Sequence, residues 1–412
     1  MQKLIERFVR YCKIDTQSSE TSETYPSTKK QFDLAKILVD ELREIGLADV
    51  EMDSYGYVMA TLPAKLPKDH PKVPIIGLIA HMDTSPAVTG TNVNPQIIRY
   101  EGGDIVLPAD NNQVILEKDY PDLKKYIGTD IITTDGTTLL GADDKAGIAE
   151  IMTAMEILIN DDKAIHGEVR VLFTPDEEIG KGTQHLDIEK FNVELAYTSD
   201  GGPIGEIEHE NFNAANASIT IKGKNVHPGY AKDKMVNSLR VVAHLLEQFP
   251  TEILPETTEK KVGYIHAHEI KGCEEETQML VLIRDFENEG VQEKKELLYK
   301  LCQDAERAFP GSEVICNILD SYSNMRFALD KRPEVVEYAL EATRRAGLEP
   351  YLNSIRGGTD GAALASKGIP TPNLFTGGYC FHSKLEWASI MVMEKSVEML
   401  THLCRIWAEK AK

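Results

Sequence analysis

Apolar and polar positions along the chain repeat with two periods, and the switches between them mark out the elements. Three short apolar runs predict buried strands: VPIIGLIA leading into His81, EVRVLF before Asp176-Glu177-Glu178, and ELAYTS before Asp200. Residues 27–47 predict a helix, because Ala35, Leu38, Leu42 and Ile45 recur at spacings of three and four and Gly46 supplies a stop. Residues 144–160 predict another, with Ile148, Ile151, Met155 and Leu158 on one face. The opening MQKLIERFVRYCKIDT is an amphipathic helix pattern that includes acids, unlike a secretory signal.

Strand and helix alternate to about residue 212, then the pattern changes. ASITIKG, MVNSLRVVAHLLEQF, GYIHAHEIKG, TQMLVLIRDF, QEKKELLYKLCQDAERAF and SEVICNI read as β-α-β-β-α-β, the ferredoxin-like plan. After about residue 323 the alternation returns, through PEVVEYALEATRRAG, a GGTDGAALASKG loop and helix, and a terminal helix from about Trp387. The prediction is an α/β sheet domain with helices on both faces, built from residues 1–212 and 323–412. Residues 213–322 would form an inserted ferredoxin-like α+β lid. No repeat of 20–50 residues points to a solenoid.

Candidate chemistry gathers where the strands end. His81 and Asp83 are followed downstream by Asp143 in GADD, Glu178 in DEE, Asp200 in SDGG and His382 in CFHSK. In open α/β sheets, ligand-binding residues collect at the carboxyl ends of the strands. Imidazole nitrogen and carboxylate oxygen are zinc ligands, and a bridging carboxylate holds two metals roughly 3.5–4 Å apart. One such residue alone is more often a cap. His81, Asp143, Glu178, Asp200 and His382 together, with Glu177 to spare, point to a metal site. Asp200 precedes the middle segment and His382 follows it, so both flanks belong to one metal-bearing domain.

His81 and Asp83 lie two apart and share a face of an extended segment, where a carboxylate can accept the ring N–H of a bound histidine. The alternative is that Asp83 caps the loop with Thr84. Glu177 and Glu178 are adjacent, so their side chains diverge and one can hold metal while the other faces a water as general base. The alternative there is a solvated acidic turn.

Composition narrows the field. Over 412 residues the net charge is −21, which argues against nucleic acid and anionic membrane as partners. No apolar run approaches the roughly 20 residues of a membrane span. The six cysteines lack CxxC spacing and read as reduced thiols of a cytoplasmic protein, with Cys380 beside His382 as packing. RGGTDG and SDGGPIG are weak as phosphate cradles. In RGGTDG, Arg356 reads as an anion site for a peptide carboxylate, which a guanidinium grips with a bidentate fork.

HMDTS, LLGADDKAGIAEIM, FTPDEEIG, SDGGPIGEIE, IRGGTDGAALA and GYCFHSKLEW, in that order, resemble the di-zinc metallopeptidase family that includes the aminoacylases and carboxypeptidase G. The likeness covers almost the whole chain and is greatest to the family's tripeptide aminopeptidases. It implies two zinc ions, one on each of His81 and His382, with Asp143 bridging and Glu178 and Asp200 at opposite ends. It further implies Glu177 as general base and Asp83 orienting His81. His227 would stabilise the oxyanion, with Arg284 and Asn237 as weaker candidates for substrate binding. Small peptides would be the partners, and a homodimer is compatible with the resemblance.

Three other functions share parts of this pattern. A dipeptidase, carboxypeptidase or N-acyl amino acid hydrolase of the same fold would keep every metal residue. A metal-stabilised peptide-binding protein would dispense with Glu177, and a di-metal phosphoesterase would dispense with the lid plan.

Overall fold

The three apolar runs are neighbouring strands of one sheet. In the computed structural model, which describes residues 2–411, Val169–Thr174, Ile76–His81 and Leu195–Gly201 lie side by side. They are parallel, with His81 opposite Thr174 and Ile79 opposite Thr198. Nearly every residue of the three is buried, as expected of parallel strands covered on both faces. The full sheet has eight strands, in the order Ala48–Met52, Val58–Leu62, Val169–Thr174, Ile76–His81, Leu195–Gly201, Asn373–Phe375, Glu206–Asn211 and Tyr351–Ile355.

Helices cover both faces. On one, Phe191, Leu364 and Ile369 pack over Ile79, Leu172 and Ala196. On the other, the helix Ala142–Asn160 lies directly on Ile76–His81 and Leu195–Gly201. Gly147 makes that approach possible, since a Cβ there would stand 1.8 Å from the Ser199 carbonyl oxygen. The helix Gln31–Ile45 ends as predicted at Gly46, whose φ of 97° suits a left-handed cap.

The end of the chain departs from the sequence reading. Trp387–Ser389 is a strand, paired with Ile131 to Thr133 in a four-stranded antiparallel sheet that also holds Gly378–Tyr379 and Gln96–Tyr100. The terminal helix is Ile390–Glu409 and begins after Ser389, whose hydroxyl accepts from the Val392 N–H. Three apolar or small residues are too few to show a strand's period.

By its internal contacts the chain divides into two compact units. One comprises the residues up to His209, Phe327–Asn353 and Thr359 onward, and the other comprises Glu210–Arg326 with Ser354–Gly358. The second unit contains an antiparallel sheet in the order Tyr264–Gly272, Glu276–Asp285, Asn213–Lys222, Glu313–Asp320, with helices Ser238–Glu247 and Asn288–Ala308. That is the ferredoxin-like arrangement. Its core is Ile219, Ile221, Val281 and Ile283 packed against Val241, Leu245 and Leu298.

Candidate metal centre

Parallel strands deliver four of the predicted residues to the carboxyl end of the main sheet. His81 ends its strand, Glu177 and Glu178 follow Thr174 by three and four positions, and Asp200 is next to last in Leu195–Gly201. Asp143 arrives from the start of the helix Ala142–Asn160, where it departs from helical angles (φ −84°, ψ 104°). His382 arrives from a loop in which it and Cys380 both hold left-handed backbone, φ 59° and 56°. For residues other than glycine that conformation costs roughly 1–2 kcal/mol each, so the loop is held there by its surroundings.

Asp143 stands between the two histidines. Its Oδ1 is 2.8 Å from His81 Nε2 and its Oδ2 is 3.1 Å from His382 Nε2. Asp200 Oδ1 lies 3.4 Å from His81 Nε2, and Glu178 Oε2 lies 2.8 Å from His382 Nε2. Two groups have ligand atoms all within 4.8 Å of one another: His81 with Asp143 and Glu178, and His81 with Asp144 and Asp200. Asp144, absent from the sequence reading, also accepts from the His81 and Gly147 backbone N–H groups.

The donor set fits a divalent pair. Every ligand atom is an imidazole nitrogen or a carboxylate oxygen, and Glu178 Oε1 is buried without a hydrogen-bond partner among the described residues. The electrostatics agree. Burial, then the Asp143 charge, pushes Glu178 up to about 7. Burial lifts Asp200 to about 6. Hydrogen bonds to Asp143 and Glu178 raise His382 to about 10. Burial works against the Asp143 charge, yet His382 and His81 hold it well below the usual carboxylate range. Burial, reinforced by Asp200, Asp360 and Glu178, raises Glu177 well above its ordinary value. Carboxylates crowded this way retain protons unless a cation replaces them.

Residues 140–406 match the model of Peptidase family M20/M25/M40. The chain belongs to that family. A peptidase T from Geobacillus kaustophilus is 49% identical over 411 residues, covering 100% of this chain and 99% of its own. A peptidase T from Halothermothrix orenii is 48% identical and matched over the whole of both chains. Two solved structures share the fold over 99% of each chain. They are aminopeptidase PepT from Bacillus cereus (TM-score 0.77, 24% identity) and a tripeptidase from Staphylococcus aureus (TM-score 0.78, 21%).

The peptidase's candidate ligand residues are braced by partners that the sequence did not disclose. His81 Nδ1 lies 3.0 Å from the Asp83 main-chain oxygen and 3.5 Å from its carboxylate. The Asp83 carboxylate also accepts from the Glu177 and Glu178 backbone N–H groups, at 2.9 and 3.2 Å. Asp176, in the left-handed region at φ 57°, accepts from the Ser27 N–H and hydroxyl and from the Gln31 amide. Asn373 accepts from the Asp200 N–H and donates to Glu208.

The remaining candidates lie in the second unit. His227 Nδ1 accepts from the Gly229 N–H, and Asn237 caps the helix Ser238–Glu247 through the Leu239 N–H. Arg284 donates to the Ala215 and Ile283 carbonyls and to Asn216, beside the Tyr322 ring. Arg356 donates to the Lys260 and Val262 carbonyls and to Thr258, with its guanidinium over Phe212 and Tyr264.

Proposed function

We propose that this peptidase is a metallo-aminopeptidase that removes the first residue of tripeptides in the cytoplasm, with two zinc ions as its cofactors. One observation carries the reading: the two oxygens of Asp143 face two different histidines, as a ligand shared between two cations requires. Peptidase T relatives at 48–49% identity over the full length support the substrate class. The free state of all six cysteines is in keeping with a reducing compartment.

His81 and Asp200 would hold one cation, His382 and Glu178 the other, with Asp143 between them. Bound there, the pair would supply Lewis acidity toward the scissile carbonyl and lower the pKa of a water. Glu177 takes that water's proton and passes it to the leaving amine. Asp83 fixes the turn on which Glu177 sits through the two backbone N–H bonds. His227 donates to the oxyanion, and Arg284 and Arg356 bind substrate. Arg356 donates through Nη1 to the Lys260 and Val262 carbonyls and through Nη2 to Thr258, and its remaining N–H groups would meet the carboxylate.

Zinc-reconstituted protein assayed against Ala-Ala-Ala, Ala-Ala, N-acetylated amino acids and phenyl phosphate tests the reading. Preference for Ala-Ala-Ala is expected. Preference for any of the others assigns the chain to a dipeptidase, an acylase or a phosphoesterase instead.

A further inference from the structure

Glu386 lies four positions beyond His382, is 1% exposed, and makes no contact that the chemistry above requires. Its carboxylate nevertheless serves three backbone donors on one distant segment. Oε2 accepts from the Leu140 and Gly141 N–H groups at 2.7 and 2.8 Å, and Oε1 accepts from the Asp143 N–H at 3.1 Å. We propose that Glu386 is the positioning residue of the metal pair, locking the loop that carries His382 to the loop that carries Asp143.

The bonds close a ring. From His382 the chain runs to Glu386, across to the Asp143 backbone, and through the Asp143 carboxylate back to His382 Nε2 at 3.1 Å. Asp143 and His382 are 239 residues apart in sequence. The Thr133–Trp387 strand pairing and the Thr134 hydroxyl on the Lys384 carbonyl bring their neighbourhoods together, and Glu386 is the side chain that reaches the Asp143 backbone itself. The left-handed backbone at Cys380 and His382 lies within the same loop, so the anchor also holds the loop against that strain. A carboxylate is an expensive acceptor to bury beside Asp143. When ionised, it would add to the ligands' attraction for divalent cations, as outer carboxylates do in metal sites.

Glutamine is the informative substitution, because it preserves volume but turns one oxygen into an NH2. Whichever way the amide faces, a donor then meets at least one of the three N–H donors. The inference rests on the two-metal reading, so both proteins are titrated with zinc against a chromophoric chelator. Wild-type protein that fails to bind two ions contradicts that reading and leaves this one without a foundation. Given two sites in the wild type, Glu386→Gln is expected to bind zinc roughly 10–100-fold more weakly, the usual cost of losing an outer partner. With zinc saturating, kcat on Ala-Ala-Ala should fall while KM stays near the wild-type value. Glu386→Asp keeps the charge but is one methylene shorter, and should fall between the two in zinc affinity. It also serves if the glutamine variant does not fold. Wild-type zinc affinity in folded Glu386→Gln, with only a lower melting temperature of the metal-free protein, would overturn the proposal and make Glu386 a plain loop anchor.

Discussion

In the proposed mechanism two adjacent glutamates divide the chemistry between them, and their contacts differ. Glu178 reaches His382, whereas Glu177 is fixed through its backbone with its carboxyl among acids. Glu177→Ala should therefore retain its metal and lose at least about 10²–10⁴-fold in kcat, the usual worth of a general base. Glu178→Ala should lose metal, read by elemental analysis after gel filtration. The reverse pattern would exchange their roles. Protonation gives a second residue-level test. A metal must displace the protons that burial retains on Asp200 (about 6) and Glu178 (about 7), and that hydrogen bonds to Asp143 and Glu178 retain on His382 (about 10). Each group offers its lone pair only above its own pKa, so zinc affinity should climb as pH rises through this window, with protons released on binding. Calorimetry in buffers of different ionisation enthalpy measures the release. An affinity flat between pH 6 and 9 would contradict it.

At the scale of elements, the site depends on how closely the helix Ala142–Asn160 lies on the strand Leu195–Gly201. Gly147→Ala would place a methyl 1.8 Å from the Ser199 oxygen and 2.5 Å from Asp144 Oδ1, displacing the helix that carries Asp143. Overpacking of this kind costs about 1–3 kcal/mol, visible as a lower melting temperature, and zinc affinity should fall with it. A variant with unchanged melting and zinc affinity would show that the contact is not a constraint. The buried strands were legible in the sequence because VPIIGLIA, EVRVLF and ELAYTS are apolar throughout, and their ends gave His81, Glu178 and Asp200. Trp387–Ser389 was not, since a three-residue strand running into a helix shows one continuous apolar pattern. The bracing contacts of Asp83, Asp176 and Glu386 escaped for another reason. Their partners are backbone N–H groups or side chains 94, 149 and 243–246 positions away, which no local spacing encodes.

For the molecule as a whole, the central question is how substrate length and direction are read. The two residues beyond the first peptide bond span roughly 7 Å at about 3.3–3.6 Å each, so a fixed cation at that reach accepts a tripeptide's carboxylate and misses a dipeptide's. Arg356 is that cation in our reading, held by the Lys260 and Val262 carbonyls and Thr258. Ala-Ala-Ala amide should be cleaved far more slowly than Ala-Ala-Ala, because the amide leaves the guanidinium charge unpaired. Arg356→Ala should narrow the gap, and equal rates for acid and amide in the wild type would reduce Arg356 to a structural role. The most direct test of the account is the product of a tripeptide with three different residues. Zinc-loaded protein given Leu-Gly-Ala should yield free leucine and Gly-Ala by mass spectrometry, with activity reaching its plateau at two zinc ions per chain. Free alanine with Leu-Gly, or a plateau at one ion, would contradict it.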